Sequence, residues 1–186
     1  MQNQQNKIET SKPSKEGRCA KEMEVYELLE TLGISFERLD HEETATIEAC
    51  HEVDRQLGVS MCKNLFLCNS QKTKFYLLLM PGETKFITKE LCRQINSARL
   101  SFAPAQYMEK YLNITPGAVS IMGLMNDKEK AISLLLDKKI MESEYLGCHP
   151  CVNTASLKVK TIDIISKFLA FTGHDYTVVE LTGDEK

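Results

Sequence analysis

The stretch Phe75-Tyr-Leu-Leu-Leu-Met80 is the longest uninterrupted apolar run in the chain, and its six residues constrain the fold more than any other feature. A membrane-spanning helix needs roughly 20 such residues, so no span is expected. A run this short, closed by Pro81-Gly82, fits a buried strand. Just before it lies a second apolar segment, Asn64–Cys68, and the polar Asn69-Ser-Gln-Lys-Thr73 between the two makes the pair a β-hairpin. A hairpin of this kind needs a core to bury it, and 186 residues with 42% hydrophobic side chains can supply one.

Around the hairpin, helical and strand periods alternate irregularly. Residues 1–19 are polar, carry Lys12-Pro-Ser-Lys15 and show no period; they are expected as a disordered tail ahead of a domain over 20–186. Met23, Tyr26, Leu28, Leu29 and Leu32 follow helical spacing, with Gly33 as a left-handed stop. Ile34–Leu39 alternates as a strand, and Thr46–Leu57 reads as a helix closed by Gly58. Thr88–Ile95 is expected as a helix capped by Thr88, and Ala105–Leu112 as one ended by Asn113. After the turn Thr115-Pro-Gly117, strands are expected at Val119–Leu124, Ala131–Leu136, Val152–Leu157 and Tyr176–Leu181. Helical segments are expected at Lys138–Tyr145 and Thr161–Thr172, the second capped by Thr161 and stopped by Gly173. About seven strands and six helices without a repeat define a single-domain α/β (α+β) fold, a mixed and mainly antiparallel sheet surrounded by helices.

Seven Cys is an odd number, and most sit in apolar segments such as Leu65-Phe-Leu-Cys68. That suits reduced core thiols better than a disulfide framework. The first residues, Met1-Gln-Asn-Gln-Gln-Asn-Lys7, lack the apolar stretch of a signal peptide, so a cytoplasmic protein away from membranes is expected. The net charge of −3 argues against a general nucleic-acid binder, DNA included. Its distribution is uneven: residues 21–62 carry 3 basic and 11 acidic side chains (−8), residues 63–110 carry 8 and 3 (+5). The basic stretch is either a solvated face or a phosphate-contacting patch, and charge alone fits both.

The chain has no Gly-x-Ser-x-Gly elbow, no Walker loop, no Gly-x-Gly-x-x-Gly and no His-Glu-x-x-His. Cys148-His149-Pro150-Cys151 holds one Cys-x-x-Cys, but a structural zinc site takes four ligands, and Cys62 and Cys68 are badly spaced on a strand to complete it. A thioredoxin-type redox motif would lead directly into a helix, whereas Val152-Asn-Thr-Ala-Ser-Leu157 is strand-like. No metal and no cofactor are therefore expected. His149 is biased toward extended backbone by Pro150, with Gly147 freeing the turn before it, which holds a polar ring at a sheet edge or simply satisfies a turn. Lys63 opens an otherwise apolar strand, either as its solvated end or as an ammonium aimed into a cleft, and Asn64 beside it offers a donor and an acceptor.

Asp40-His41, Thr46 in the loop leading to a helix, and Cys62-Lys63-Asn64-Leu65-Phe66 opening a strand together resemble the prolyl-tRNA editing domains, the YbaK-like family. Ala98-Arg99-Leu-Ser-Phe102, Thr115-Pro-Gly117 through Gly123-Leu-Met-Asn-Asp127, and Gly147-Cys-His149-Pro150-Cys-Val-Asn153-Thr154 are similar to its free-standing PrdX or ProXp-ala branch, which clears alanine mischarged onto tRNA for proline. The resemblance runs from about Met23 to Leu181. It implies a YbaK-like fold and places the family's essential lysine on Lys63, with Asn64 next to it, and the histidine of the His-Pro motif on His149. It puts an acceptor-stem arginine on Arg99 and the loop against the aminoacyl group on Gly117 to Ile121. Thr46, Gly147, Pro150 and Asn153 fall within the same motifs as substrate-binding positions. The chain departs from the pattern at Ile121, where the family has proline, at Glu42-Glu43, and at Ala45, where phenylalanine is common; these differences fall on the pocket and leave Lys63 and His149 in place.

The implied activity is trans-editing: hydrolysis of the ester of Ala-tRNA(Pro) while Pro-tRNA(Pro) is spared. Sister readings are Cys-tRNA(Pro) or Ser-tRNA deacylation, and a rival of a different class is a non-catalytic aminoacyl-tRNA binding module. An aminoacyl ester is already activated, so positioning a water and stabilising the oxyanion suffices, without a side-chain nucleophile. The implied partner is the acceptor stem of mischarged tRNA(Pro), with prolyl-tRNA synthetase or elongation factor as candidate associates. Lys72, Lys74, Lys85, Lys89 and Arg93 join Arg99 as candidate tRNA contacts on charge alone.

Overall fold

The computed structural model describes residues 7–43 and 47–184. The hairpin lies at its centre. Strand β2 (Cys62–Asn69) pairs antiparallel with β3 (Phe75–Pro81), from Cys62 opposite Pro81 to Cys68 opposite Phe75. The short β4 (Leu100–Phe102) flanks β2 antiparallel; on the other side β5 (Ile132–Asp137) and β8 (Tyr176–Val179) add in parallel, giving the order β4-β2-β3-β5-β8. This sheet is covered on both faces, which is why Phe75–Met80 reads as an unbroken apolar run. Phe75, Leu77 and Leu79 enter the main core, and Leu78 and Met80 point the other way into a second core with Leu91, Leu100, Leu135 and Val179.

A second sheet, β1 (Phe36–Asp40), β7 (Ala155–Lys160) and β6 (Tyr145–Cys148), is antiparallel throughout in the order β1-β7-β6. Helix α1 (Ala20–Thr31) sends Met23, Tyr26 and Leu29 into the main core, and Gly33 follows at φ 61°, in the left-handed region that favours glycine. Helices α2 (Ile47–Leu57), α3 (Thr88–Gln94), α4 (Ala105–Leu112) and α5 (Lys138–Glu142) connect the strands. The last helical stretch begins as α6 (Thr161–Asp163), widens to a π-helical turn over Ile164–Phe168 and ends as α7 (Leu169–Thr172), with Gly173 left-handed. The α/β architecture of mixed, mostly antiparallel strands with surrounding helices agrees with the sequence, although the strands form two sheets.

Several local expectations are corrected. Val119–Leu124 is no strand: Ile121–Asn126 is a 3-10 helix whose N-terminus is capped by Ser120 Oγ accepting from Met122 N at 3.2 Å. Its apolar residues are buried without a strand partner, so hydrophobicity alone misassigns it. Helix α5 ends at Glu142, three residues before the expected Tyr145, where the strand β6 begins instead, and β7 starts three residues later than Val152. Thr88 and Thr161 are first helical residues rather than caps; neither helix has a side-chain cap. Residues 7–19, expected as disordered, run against the fold. Glu9 bridges Arg38 of β1, Lys12 pairs with Glu30 at 2.8 Å, and Arg18 binds both Glu22 and Asp40. Low hydropathy there reflects ion pairing to an acidic helix, not the lack of a partner.

Candidate active site

The two sheets meet at one seam. Met61 forms a parallel bridge to Gly147, and Asp54 of α2 accepts from Met61 N at 3.1 Å. A Cβ on Gly147 would stand 2.9 Å from Ser60 O and 3.1 Å from Met61 Cα, so the seam closes only on a glycine. Packing at the seam is thus enough to require a glycine at 147. The parallel register carries Lys63 and His149 two residues beyond this bridge on their respective segments, to the same side. Cys62 and Cys148 fall on the opposite side, in the main core. Burial pushes the Cys62 thiol up to about 12 and the Cys148 thiol up as well, so both stay protonated and inert as nucleophiles.

Lys63 is half-buried, and its Nζ donates to Thr84 O, in the loop after β3, at 2.9 Å. That bond fixes the direction of the ammonium and uses one of its three donors. Strand alternation sends the neighbouring Asn64 to the other face, where its Nδ2 donates to Cys62 O at 3.0 Å. Its Oδ1 is buried and has no partner among the described residues, an acceptor that a water or a ligand hydroxyl would satisfy.

His149 sits just beyond β6. Its Nδ1 is 2.9 Å from Ala155 O; a carbonyl only accepts, so Nδ1 carries the proton and Nε2 keeps its lone pair. Burial lowers the pKa of this ring, the nearby His41 lowers it further, and the Ala155 bond works the other way, so the imidazole is neutral at pH 7. The backbone is anchored too: the buried Ser120 hydroxyl donates to His149 O at 2.5 Å. Pro150 is buried directly behind the histidine. Gly117 is at φ 92°, in the left-handed region that favours glycine, and a Cβ there would stand 3.7 Å from Asn153 Nδ2, so the Gly117 turn lies against Asn153.

Four expected site residues lie elsewhere. Ile121 is fully buried at 0% exposure and packs in the main core, so it backs the loop rather than facing an open pocket. Arg99 is exposed and lines an open pocket of about 590 Å³ with Thr88, Lys89, Cys92 and Phe102. This pocket abuts the far end of β2, where Asn69 pairs with Leu100. Lys72 and Lys74 are on the hairpin loop at that same far end, about 20 Å from Lys63 for six residues of strand. Thr46 lies outside the described residues. Sequence reasoning missed His41 and Ser156 as site residues. The β1–β7 register, with Leu39 opposite Ser156, brings His41 Nε2 to 2.9 Å from Ser156 Oγ and its ring to 6.3 Å from that of His149. The sole sequence signal was the Asp40-His41 motif itself.

The seam thus joins a tethered ammonium and a neutral imidazole with a fixed tautomer on one side, a pair suited to binding an acyl ester and its attacking water. The model of the aminoacyl-tRNA editing domain matches residues 41–166, and the chain belongs to that family. Its class of chemistry is accordingly the hydrolysis of an aminoacyl-tRNA ester. The prolyl-tRNA editing protein ProX of Acetoanaerobium sticklandii is 30% identical over 153 residues, 82% of this chain and 93% of the relative. A prolyl-tRNA synthetase associated domain-containing protein 1 of Danio rerio is 27% identical over 153 residues, 81% of this chain and 82% of the relative. Among solved structures, a candidate trans-editing enzyme for prolyl-tRNA synthetase superposes with a TM-score of 0.66 at 16% identity, over 89% of this chain and 99% of the other. A scaffold protein used for computational epitope grafting superposes with 0.67 at 18% identity, over 89% and 98%. At such identities these two show the fold. No helix among the described residues is long and apolar enough to cross a membrane.

Proposed function

We propose that the protein is a trans-editing deacylase that hydrolyses Ala-tRNA(Pro) and spares Pro-tRNA(Pro). The observation that carries this reading is the seam itself, with Lys63 and His149 brought to one side by the Met61–Gly147 bridge, in a chain 30% identical to a prolyl-tRNA editing protein. Lys63 binds the terminal phosphate or the ester carbonyl, and its charge is worth most as the carbonyl becomes an oxyanion. Backbone N–H groups of the Gly117 turn line the carbonyl side. The free Nε2 of His149 accepts a hydrogen bond from the attacking water and takes its proton as the oxygen adds to the carbonyl carbon; collapse of the tetrahedral intermediate breaks the ester C–O bond, and the ribose oxygen leaves as a hydroxyl with that proton. The terminal ribose hydroxyl can share the ordering of that water. Selectivity follows from size, because a pocket shaped for a methyl side chain excludes a pyrrolidine ring more easily than it discriminates a missing methylene, worth ~1–3 kcal/mol.

The basic stretch around Lys72, Lys74 and Arg99 is read as the contact to the acceptor stem, in the cytoplasm where mischarged tRNA arises. The test is deacylation of Ala-, Cys-, Ser- and Pro-tRNA(Pro) by the wild-type protein and Lys63→Ala. Loss of alanine alone, abolished by the substitution, is expected. Loss of cysteine or serine instead overturns the specificity and keeps the enzyme; hydrolysis of none overturns the enzyme in favour of a binding module.

A further inference from the structure

Ser156 is fully buried, and its hydroxyl stands between two imidazoles. His41 Nδ1 lies 2.8 Å from Glu42 O, which accepts only, so Nδ1 bears the proton of the neutral ring. His41 Nε2 is then an acceptor, and the Ser156 Oγ–H at 2.9 Å donates to it. With its one proton committed, Ser156 Oγ turns its lone pairs toward His149 Nδ1, 3.5 Å away, where the N–H already points at Ala155 O. Every proton in this chain runs in one direction, from His149 through Ser156 to His41 and out to Glu42 O. The two residues come from different strands of the small sheet, β7 and the end of β1, and His41 is itself tied back by its N–H to Thr154 O at 2.9 Å.

We propose that His41 is a positioning residue for the deacylation: by holding the Ser156 hydroxyl in one rotamer it gives the His149 Nδ1–H a second acceptor and fixes the ring that orders the attacking water. His41 has both nitrogens occupied within the protein and acts only through Ser156. The assignment rests on the deacylase reading above. It also accounts for the buried hydroxyl, since an alanine would fill the same space between β1 and β6 without the hydroxyl's desolvation cost.

The test compares wild type, His41→Leu, His41→Gln, Ser156→Ala and the double variant His41→Leu/Ser156→Ala in deacylation of Ala-tRNA(Pro), with a thermal melt of each. Each of His41→Leu and Ser156→Ala is expected to lower kcat about tenfold with KM unchanged, the worth of one neutral hydrogen bond. The double variant should lose no more than either single one, because both cut the same chain. His41→Gln, whose amide oxygen can accept from Ser156 near the place of Nε2, should recover most of kcat. Additive losses, an unchanged kcat in variants that melt like wild type, or a Gln variant as poor as Leu would overturn the assignment and leave the deacylase standing. No hydrolysis by the wild-type protein would overturn the deacylase and this assignment with it.

Discussion

The two ends of β2 differ in how they treat charge. At the Cys62 end the polar groups are few and mostly held: Lys63 by Thr84 O, His149 by Ala155 O, Ser120 by His149 O. At the Asn69 end, Lys89 and Arg99 are exposed at an open pocket that includes the exposed ring of Phe102, and Lys72 and Lys74 are exposed on the hairpin loop. The first end is built for geometry, where one misplaced atom costs rate. On the proposed function the second serves long-range attraction, where many weak contacts share the load and none is decisive. Substitutions at the two ends should therefore change different kinetic constants.

The sharpest separation comes from Lys63→Ala. Removing the ammonium proposed to bind the ester should lower kcat by about 10²–10³ in single-turnover deacylation, as for loss of an oxyanion-stabilising donor; near-normal turnover would remove Lys63 from the mechanism. Gly147→Ala tests whether the seam itself matters. Its Cβ meets the Ser60 carbonyl at 2.9 Å, so the bridge must part. A stability loss of about 1–3 kcal/mol by denaturant melt is expected, together with lost activity.

A pH profile probes the held end without mutation. The folded pKa of His149 lies below its ordinary value, chiefly through burial, so activity should stay level from neutrality down past pH ~6.5, the ordinary imidazole value. The acid limb appears only below that. The stability linked to the same ring is fully present above the unfolded pKa and is lost as pH falls through the folded one. An acid limb of kcat above the ordinary value would show that another group titrates. The smallest effects belong to the exposed end. Lys72→Ala, Lys74→Ala and Arg99→Ala should each raise KM a few-fold at constant kcat, and each lost phosphate contact should reduce the slope of log affinity against log salt by about 1. A drop in kcat instead would mean that the two ends of β2 act as one site.

Much of the molecule was legible one segment at a time. The six-residue run at Phe75–Met80, the hairpin loop after Cys68 and the left-handed stops at Gly33, Asn113 and Gly173 are local facts, because strand period, turn chemistry and backbone sterics act over a few residues. Lys63 and His149 stood out for the same reason, each sitting at an anomalous place in its own segment. The sequence on its own also determined the family, since its motifs are contiguous.

The seam was decided only by tertiary structure. Whether Ile121 faces a pocket or the core, whether Arg99 lies near Lys63 or a strand's length away, and whether residues 7–19 have anything to bind depend on which strands pair. The contact of His41 with Ser156 spans 115 residues and is set by the β1–β7 register, which no local pattern encodes. Hydrogen bonds between such distant groups form only once burial of the shared core has brought the strands together, so the tautomer of His149 is a property of the fold and not of its motif.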